Sequence, residues 1–189
     1  MAGDIAVLDS CVLYSAPLRD LLLRLALAGI YRARWSHRIC EEWMRAVRRH
    51  RPDLKSAQLE RTLRLMNAHV RECIVDGFES RIPDLSLPDE KDRHVLAVAI
   101  ECRANLIVTF NVRHFPARFL RKHAVRAIHP DRFVSSLMDE DLESVIDVLR
   151  EQRQALRNPP KSAREFLAAL EIQQLKSAVQ RLRFFESVL

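Results

Sequence analysis

Between Leu87 and Phe115 the chain reads Leu-Pro-Asp-Glu-Lys-Asp, then an unbroken apolar helix, then Asn-Leu-Ile-Val-Thr-Phe-Asn-Val-Arg-His-Phe. The helix expected from Val95 to Cys102 has almost no polar face before Glu101, so it must be buried on every side. After a very short link comes the β-rich run Leu106 to Phe110, which stops abruptly at Asn111. A fully buried helix joined tightly to a fully apolar strand is one half of a parallel α/β layer. Two acids, Asp89 and Asp92, stand at the mouth of that helix.

The same punctuation occurs near the N-terminus. Ile5-Ala6-Val7-Leu8 is too short for a helix and stops at Asp9, before Ser10-Cys11-Val12-Leu13. In open α/β sheets ligands bind outside the carboxyl ends of the parallel strands, which places Asp9 and Asn111 on one rim.

With 189 residues, 48% of them hydrophobic and only three glycines, the chain is long enough for one well-packed core plus an appendage. A balance of 31 Lys and Arg against 25 Asp and Glu gives a net charge of +6 and favours a polyanionic partner. Cys11, Cys40, Cys73 and Cys102 form no C-x-x-C pair, which argues against zinc and for buried thiols in a reducing compartment. Met-Ala-Gly-Asp does not read as a signal peptide, and the apolar run Leu21 to Ile30 is interrupted by Arg24 and too short for a bilayer. The expectation is a cytoplasmic protein with no membrane contact.

Taken in order, Asp9 is followed by a helical pattern through Leu13, Leu18, Leu21, Leu22, Leu25 and Leu27, with Pro17 near its start and Gly29 as its stop. Tyr31 to Trp35 is a candidate second strand, and Ser36 is a good N-cap for a helix to about His50 that carries Glu41 and Glu42. A basic turn, Arg48-Arg49-His50-Arg51-Pro52, leads to an amphipathic helix from about Leu54 to Arg71. Cys73 to Asp76 is a plausible strand, Pro83 to Pro88 a rim loop, and Arg126 to Ile128 a last edge strand. From Asp139 the pattern is helical, with Leu142, Val145, Ile146 and Leu149 on one stripe. After the break at Asn158-Pro159-Pro160, Ser162 and Glu165 have capping-box spacing, and a final helix is expected from Ile172 to Leu189.

Each acid has a structural reading beside the functional one. Asp89 could cap the helix and Asp92 could answer its dipole, while Glu41 and Glu42 could be exposed helix acids. Asp9 is harder to dismiss, because a carboxylate at the tip of a buried strand needs a partner for its charge. Gathered on one rim, several carboxylates repel one another unless a cation sits among them. Oxygen ligands without His or Cys spacing point to Mg²⁺ or Mn²⁺, which promotes in-line attack of water on phosphorus.

Four blocks, Val-Leu-Asp-Ser at 7–10, Trp-Ser-His-Arg-Ile-Cys-Glu-Glu at 35–42, Pro-Asp-Glu-Lys-Asp-Arg-His-Val-Leu-Ala-Val-Ala at 88–99 and Ile-Val-Thr-Phe-Asn-Val-Arg-His-Phe at 107–115, resemble in content and order the signature of the PIN-domain family. More narrowly they resemble VapC-like toxin components of bacterial toxin–antitoxin systems. The resemblance implies a three-layer α/β/α fold with a central parallel sheet over residues 1–135, here followed by a helical C-terminal extension over 136–189. Carried over by position, the family's acids fall on Asp9, on Glu42 with Glu41 as the alternative register, and on Asp92. Asp89 matches a frequent accessory acid, and Asn111 stands at a fourth position that is often Asp. Cys11 and His114 depart from the pattern, and His114 is read as a cover over the strand end rather than a phosphate contact.

The implied activity is metal-dependent endoribonuclease, with Asp9, Glu42, Asp89 and Asp92 holding Mg²⁺ or Mn²⁺ and Asn111 supporting the water or phosphate. Arg45, Arg48, Arg49, Arg113 and Arg118 are candidate RNA contacts, against the plainer reading of a solvated charge run. The implied partners are an RNA substrate, a cognate antitoxin docking through the C-terminal helices, and a second copy in a homodimer. Two alternatives stay open: a PIN nuclease of RNA processing without an antitoxin, and a catalytically silent RNA-binding or regulatory module.

Overall fold

Four short segments, Ile5–Leu8 (β1), Arg32–Arg34 (β2), Leu106–Val108 (β3) and Arg126–Ile128 (β4), pair in parallel in the order β2-β1-β3-β4; the two central strands are apolar throughout and the two edge strands begin with arginine. The computed structural model describes residues 3–189; Met1 and Ala2, the start of the stretch read as lacking a signal peptide, lie outside it. Register is fixed at the amino ends of the central strands by Asn105. Its side-chain carbonyl accepts from the Ile5 amide at 2.9 Å, and its side-chain amide donates to Asp4 at 2.5 Å.

Between β1 and β2 the chain forms the helices Ser10–Tyr14 (α1) and Ala16–Leu27 (α2). Between β2 and β3 it forms His37–His50 (α3), Ser56–His69 (α4) and Arg93–Glu101 (α5). The first crossover runs one way along the sheet and the second runs back past β1. Right-handed crossovers travelling in opposite directions put their helices on opposite faces, which gives the three α/β/α layers. His94 through Ala99 of α5 are all buried, as the lack of a polar face requires. A short helix, Ala117–Leu120 (α6), leads to the edge strand β4.

Four more helices follow: Pro130–Glu140 (α7), Leu142–Ala155 (α8), Ala163–Ile172 (α9) and Lys176–Leu182 (α10). They do not hang free. Phe133 of α7 meets Tyr31 edge to face at 4.9 Å between ring centroids, and the Tyr31 hydroxyl donates to the Leu22 carbonyl at 2.9 Å. The Gln152 amide of α8 donates to the Pro17 carbonyl at 3.0 Å. Buried Asp131 on α7 accepts from the Ser177 and Ala178 amides at 3.1 and 2.9 Å, satisfying free amides at the N-terminus of α10. The expected junction near residue 135 falls within α7.

Four expectations are revised. The first helix is two, α1 and α2, separated at Ser15, with Pro17 in the first turn of α2 where its missing N–H costs nothing. Cys73 to Asp76 contributes a single parallel bridge, Trp35 with Ile74, rather than a strand. The β-rich run through Phe110 leaves the sheet after Val108, although the Thr109 amide still donates to Ile128 at 3.0 Å. The last helix does not start at Ile172: Gln174 adopts a positive φ of 66°, which breaks the helix, and α10 begins at Lys176. The stripe Val145, Ile146 and Leu149 is buried as read, and Ser162 and Glu165 close their capping box.

Asp131→Ala removes the acceptor of the buried Ala178 amide and the half-buried Ser177 amide without touching the sheet. We expect a loss of about 1–3 kcal/mol in urea unfolding, with faster hydrogen exchange confined to α10; an unchanged midpoint would contradict this role.

Candidate functional site

The sheet reverses its winding between β1 and β3, so the crevice at their carboxyl ends is its switch point, where a doubly wound fold presents ligand sites. Asp9 closes β1 there. Its amide donates to Val108 of β3 at 3.1 Å and its carbonyl accepts from Val12, so the backbone is committed to both sheet and α1. Asp9 occupies the N-cap position of α1, yet its side chain makes no capping bond. The carboxylate, only 5% exposed, instead accepts from Thr109 Oγ1 at 2.6 Å, Cys11 Sγ at 3.2 Å and Ser10 Oγ at 3.3 Å. Thr109 in turn accepts from the Asn111 amide at 3.0 Å, so one hydroxyl couples the two strand tips. Burial first, and then the charge of Asp9, push the Cys11 thiol up to about 12, which keeps it a neutral donor.

Asp92 stands at the N-cap of α5, again without a side-chain capping bond, and its Oδ2 accepts from His114 Nδ1 at 2.8 Å. Burial raises the Asp92 carboxyl above its ordinary value, and the charges of Asp9 and Asp89 push the same way against the His114 hydrogen bond. Asp89 does cap: its carboxylate accepts from the Lys91 amide at 3.0 Å. Asp89 thus caps the single turn Glu90–Asp92 that precedes α5, and Asp92 stands at the start of α5, where a negative charge also answers the helix dipole.

Glu42 comes from α3, whose entry is set by Ser36 accepting from the Ile39 amide at 3.3 Å. A helical step of about 100° turns Glu41 to solvent and Glu42 to the rim. Glu42 meets His94 Nε2 at 3.0 Å and Arg38 at 3.6 Å. Burial raises its carboxyl, but the His94 hydrogen bond and the charges of His94 and Arg38 outweigh burial and hold it below the ordinary value. His94 is almost wholly buried, and its Nδ1 has no partner among the described residues.

Ligand-type atoms of Asp89, Asp92 and His114 lie within 4.8 Å of one another, a spacing one cation could span. The expected set of Asp9, Glu42, Asp89 and Asp92 is thus only partly closed: Asp9 is turned to Thr109 and Glu42 to His94. His114 does more than cover the strand end, because it binds Asp92 directly. His94 and Thr109 carried no functional expectation, although both sit inside the blocks at 88–99 and 107–115. Arg45, Arg48, Arg49 and Arg113 are exposed, the first three on α3 beyond Glu42. Arg118 lies on α6 with its guanidinium 4.8 Å from the centre of the Phe119 ring.

The family description "PIN domain" matches residues 6–113, and "VapC50 C-terminal domain" matches residues 130–184. The chain is 38% identical over 97 residues to a Mycobacterium tuberculosis protein named "Putative ribonuclease VapC50", an alignment covering 51% of this chain and 57% of that relative. The alignment therefore spans somewhat over half the length of that relative. No solved structure matches the chain significantly. Among the described residues, no helix is long and apolar enough to cross a membrane.

A carboxyl held below its ordinary value contributes stability that is present above that value, 4.5 for Glu, and is lost as pH falls through the folded value. His94→Gln removes the main group that lowers Glu42. We expect the drop in Tm between about pH 5 and pH 3 to be shallower in this variant than in the parent; parallel curves would show that the pair is not what holds Glu42 down.

Proposed function

The chain belongs to the PIN-domain family, and on that premise we propose that it is a metal-dependent endoribonuclease and the toxin component of a toxin–antitoxin pair. The observation that carries the reading is the gathering of Asp89, Asp92 and His114 around one point beside Asp9, at the switch point of the sheet. The likeness of the chain to a relative named as a ribonuclease supports RNA as the substrate.

The donor set suits a hard divalent cation. Its oxygens outnumber its one imidazole, and the raised carboxyl of Asp92 marks a place where unbalanced negative charge accumulates. In our reading Asp9, Glu42, Asp89 and Asp92 hold Mg²⁺ or Mn²⁺, with His114 positioned to orient Asp92. Bound there, such an ion supplies positive charge beside a scissile phosphate.

The remaining work falls to side chains of this chain. Thr109 holds Oδ2 of the Asp9 carboxylate, leaving Oδ1 with the longer bond from Ser10. His94 holds Glu42 ionised, which suits it to the ion and to a hydrogen bond from the attacking water. Asn111, fixed through its own amide to Thr109, orients that water or the phosphate through its side-chain amide. Arg45, Arg48 and Arg49 guide the RNA backbone along α3, with Arg113 and Arg118 on the opposite side. Residues 1–135 form the nuclease unit, and the helices of 136–189, seated against it through α7 and α8, offer a surface for the antitoxin. A homodimer working in the cytoplasm completes the proposal.

The test is cleavage of a mixed single-stranded RNA pool with Mg²⁺, with Mn²⁺ and with chelator. The parent should cut only with metal, and Asp9→Asn should fall to background with an unchanged circular dichroism spectrum. Full activity in Asp9→Asn would sink the assignment. A folded parent that binds RNA without cutting it would hand the chain to the silent-module alternative.

A further inference from the structure

The open edge of β4 borders a cleft of about 770 Å³ that runs from Phe110, Val112 and Arg113 to His129, Arg132 and Ser136. Arg126 and Arg132 line it together with Arg113, and no carboxylate lines it. None of these three guanidiniums forms an ion pair among the described residues. The nearest acid in sequence, Asp131, is buried and spent on the amides of α10. Three unneutralised arginines around one concave surface repel one another unless an anion joins them.

The other lining groups fit a nucleotide chain. His129 Nδ1 accepts from the Asp131 amide at 3.2 Å, and burial lowers the ring below its ordinary value, so Nε2 carries the proton as a neutral donor. Phe110 meets the His129 ring at 5.3 Å, edge to face, and offers an aromatic surface of the kind on which unpaired bases stack. Phe110 also fixes the cleft relative to the acids: its amide donates to Cys11 Sγ, the thiol that binds Asp9.

Building on the ribonuclease reading, we propose that this cleft binds the phosphates of single-stranded RNA on one side of the scissile bond, with Arg126 and Arg132 as its principal contacts. The strand then crosses the acids between two basic banks, the arginines of α3 and those of the β4 edge. Neither Arg126 nor Arg132 stands out in the sequence, because one lies on an edge strand and the other in the first turn of α7. Only the packing of α7 against the strand end brings them together.

The experiment measures binding of a fluorescent single-stranded RNA to Asp9→Asn, chosen because the ribonuclease reading expects it to bind RNA without turnover, over a series of salt concentrations. The same is done with Arg126→Gln and Arg132→Gln added, and with Arg164→Gln on α9 as a charge-loss control. Removing one phosphate-binding arginine should lower the slope of log Kd against log salt by about 0.7, so the double substitution should lower it by about 1.4 and weaken binding roughly tenfold at low salt. The control should match Asp9→Asn. An unchanged slope and affinity in the double variant, with the parent still cutting RNA, would overturn the cleft alone. Absence of RNA binding by Asp9→Asn and of cutting by the parent would remove the cleft together with the ribonuclease reading. Unchanged RNA binding with reduced affinity for an oligoglutamate peptide would also overturn the proposal, giving the cleft to an acidic protein partner.

Discussion

The site depends on one hydrogen bond, from Thr109 to Asp9, made where two parallel strands end side by side. β1 and β3 are paired residue for residue up to Leu8 and Val108, and the next residue of each strand supplies one partner of the bond. A carboxylate this deeply buried is costly unless its oxygens are satisfied, and Thr109, Cys11 and Ser10 satisfy them. Because the crossovers leave β1 in one direction and return to β3 from the other, their helices diverge at this point and a crevice remains. The fold thus places a held acid at the floor of an opening and leaves the rim to other elements.

Those elements deliver their acids with histidines attached. Asp92 arrives with His114 and Glu42 with His94, yet the two pairs end in different electrostatic states. His94 and Arg38 overcome burial at Glu42, which stays ionised, whereas at Asp92 the neighbouring Asp9 and Asp89 add to burial and overcome His114. Negative charge is consequently least comfortable at Asp92, at the centre of the group that a cation could span. A structural acid is expected to be relieved by its surroundings; this one is burdened by them.

Much of this arrangement could be read in the chain itself. The absence of a polar face on Val95–Cys102 and the abrupt ends of two apolar strands were enough to anticipate the parallel sheet, and the rim position of Asp9 followed from them. Glu41 and Glu42 could not be told apart, because the choice turns on helix phase, which Ser36 sets through a single capping bond. His114 was visible without its role, since its contact with Asp92 spans 22 positions in sequence and depends on how the loop after β3 folds back. The break before α10 was hidden because Gln174 is neither Gly nor Pro, so its left-handed conformation carries no local signal. Arg126 and Arg132 were invisible for a related reason: a basic cleft is made by tertiary packing, whereas a run such as Arg48-Arg49 is visible but faces solvent.

In the proposed metal-dependent reading, Asp92 is the carboxylate whose charge a bound cation would relieve. The direct measurement is the Tm of chelator-treated protein near neutral pH, for the parent and for Asp92→Asn, each with and without Mn²⁺. A carboxyl raised above its ordinary value contributes stability that is lost as pH rises through its folded value, so the charge at Asp92 costs stability at neutral pH. Asp92→Asn should accordingly be more stable than the metal-free parent, and Mn²⁺ should raise the Tm of the parent while barely moving that of the variant. A parent that does not respond to Mn²⁺, together with a variant less stable than it, would mean that Asp92 is a structural partner of His114 and that the rim is not a metal site.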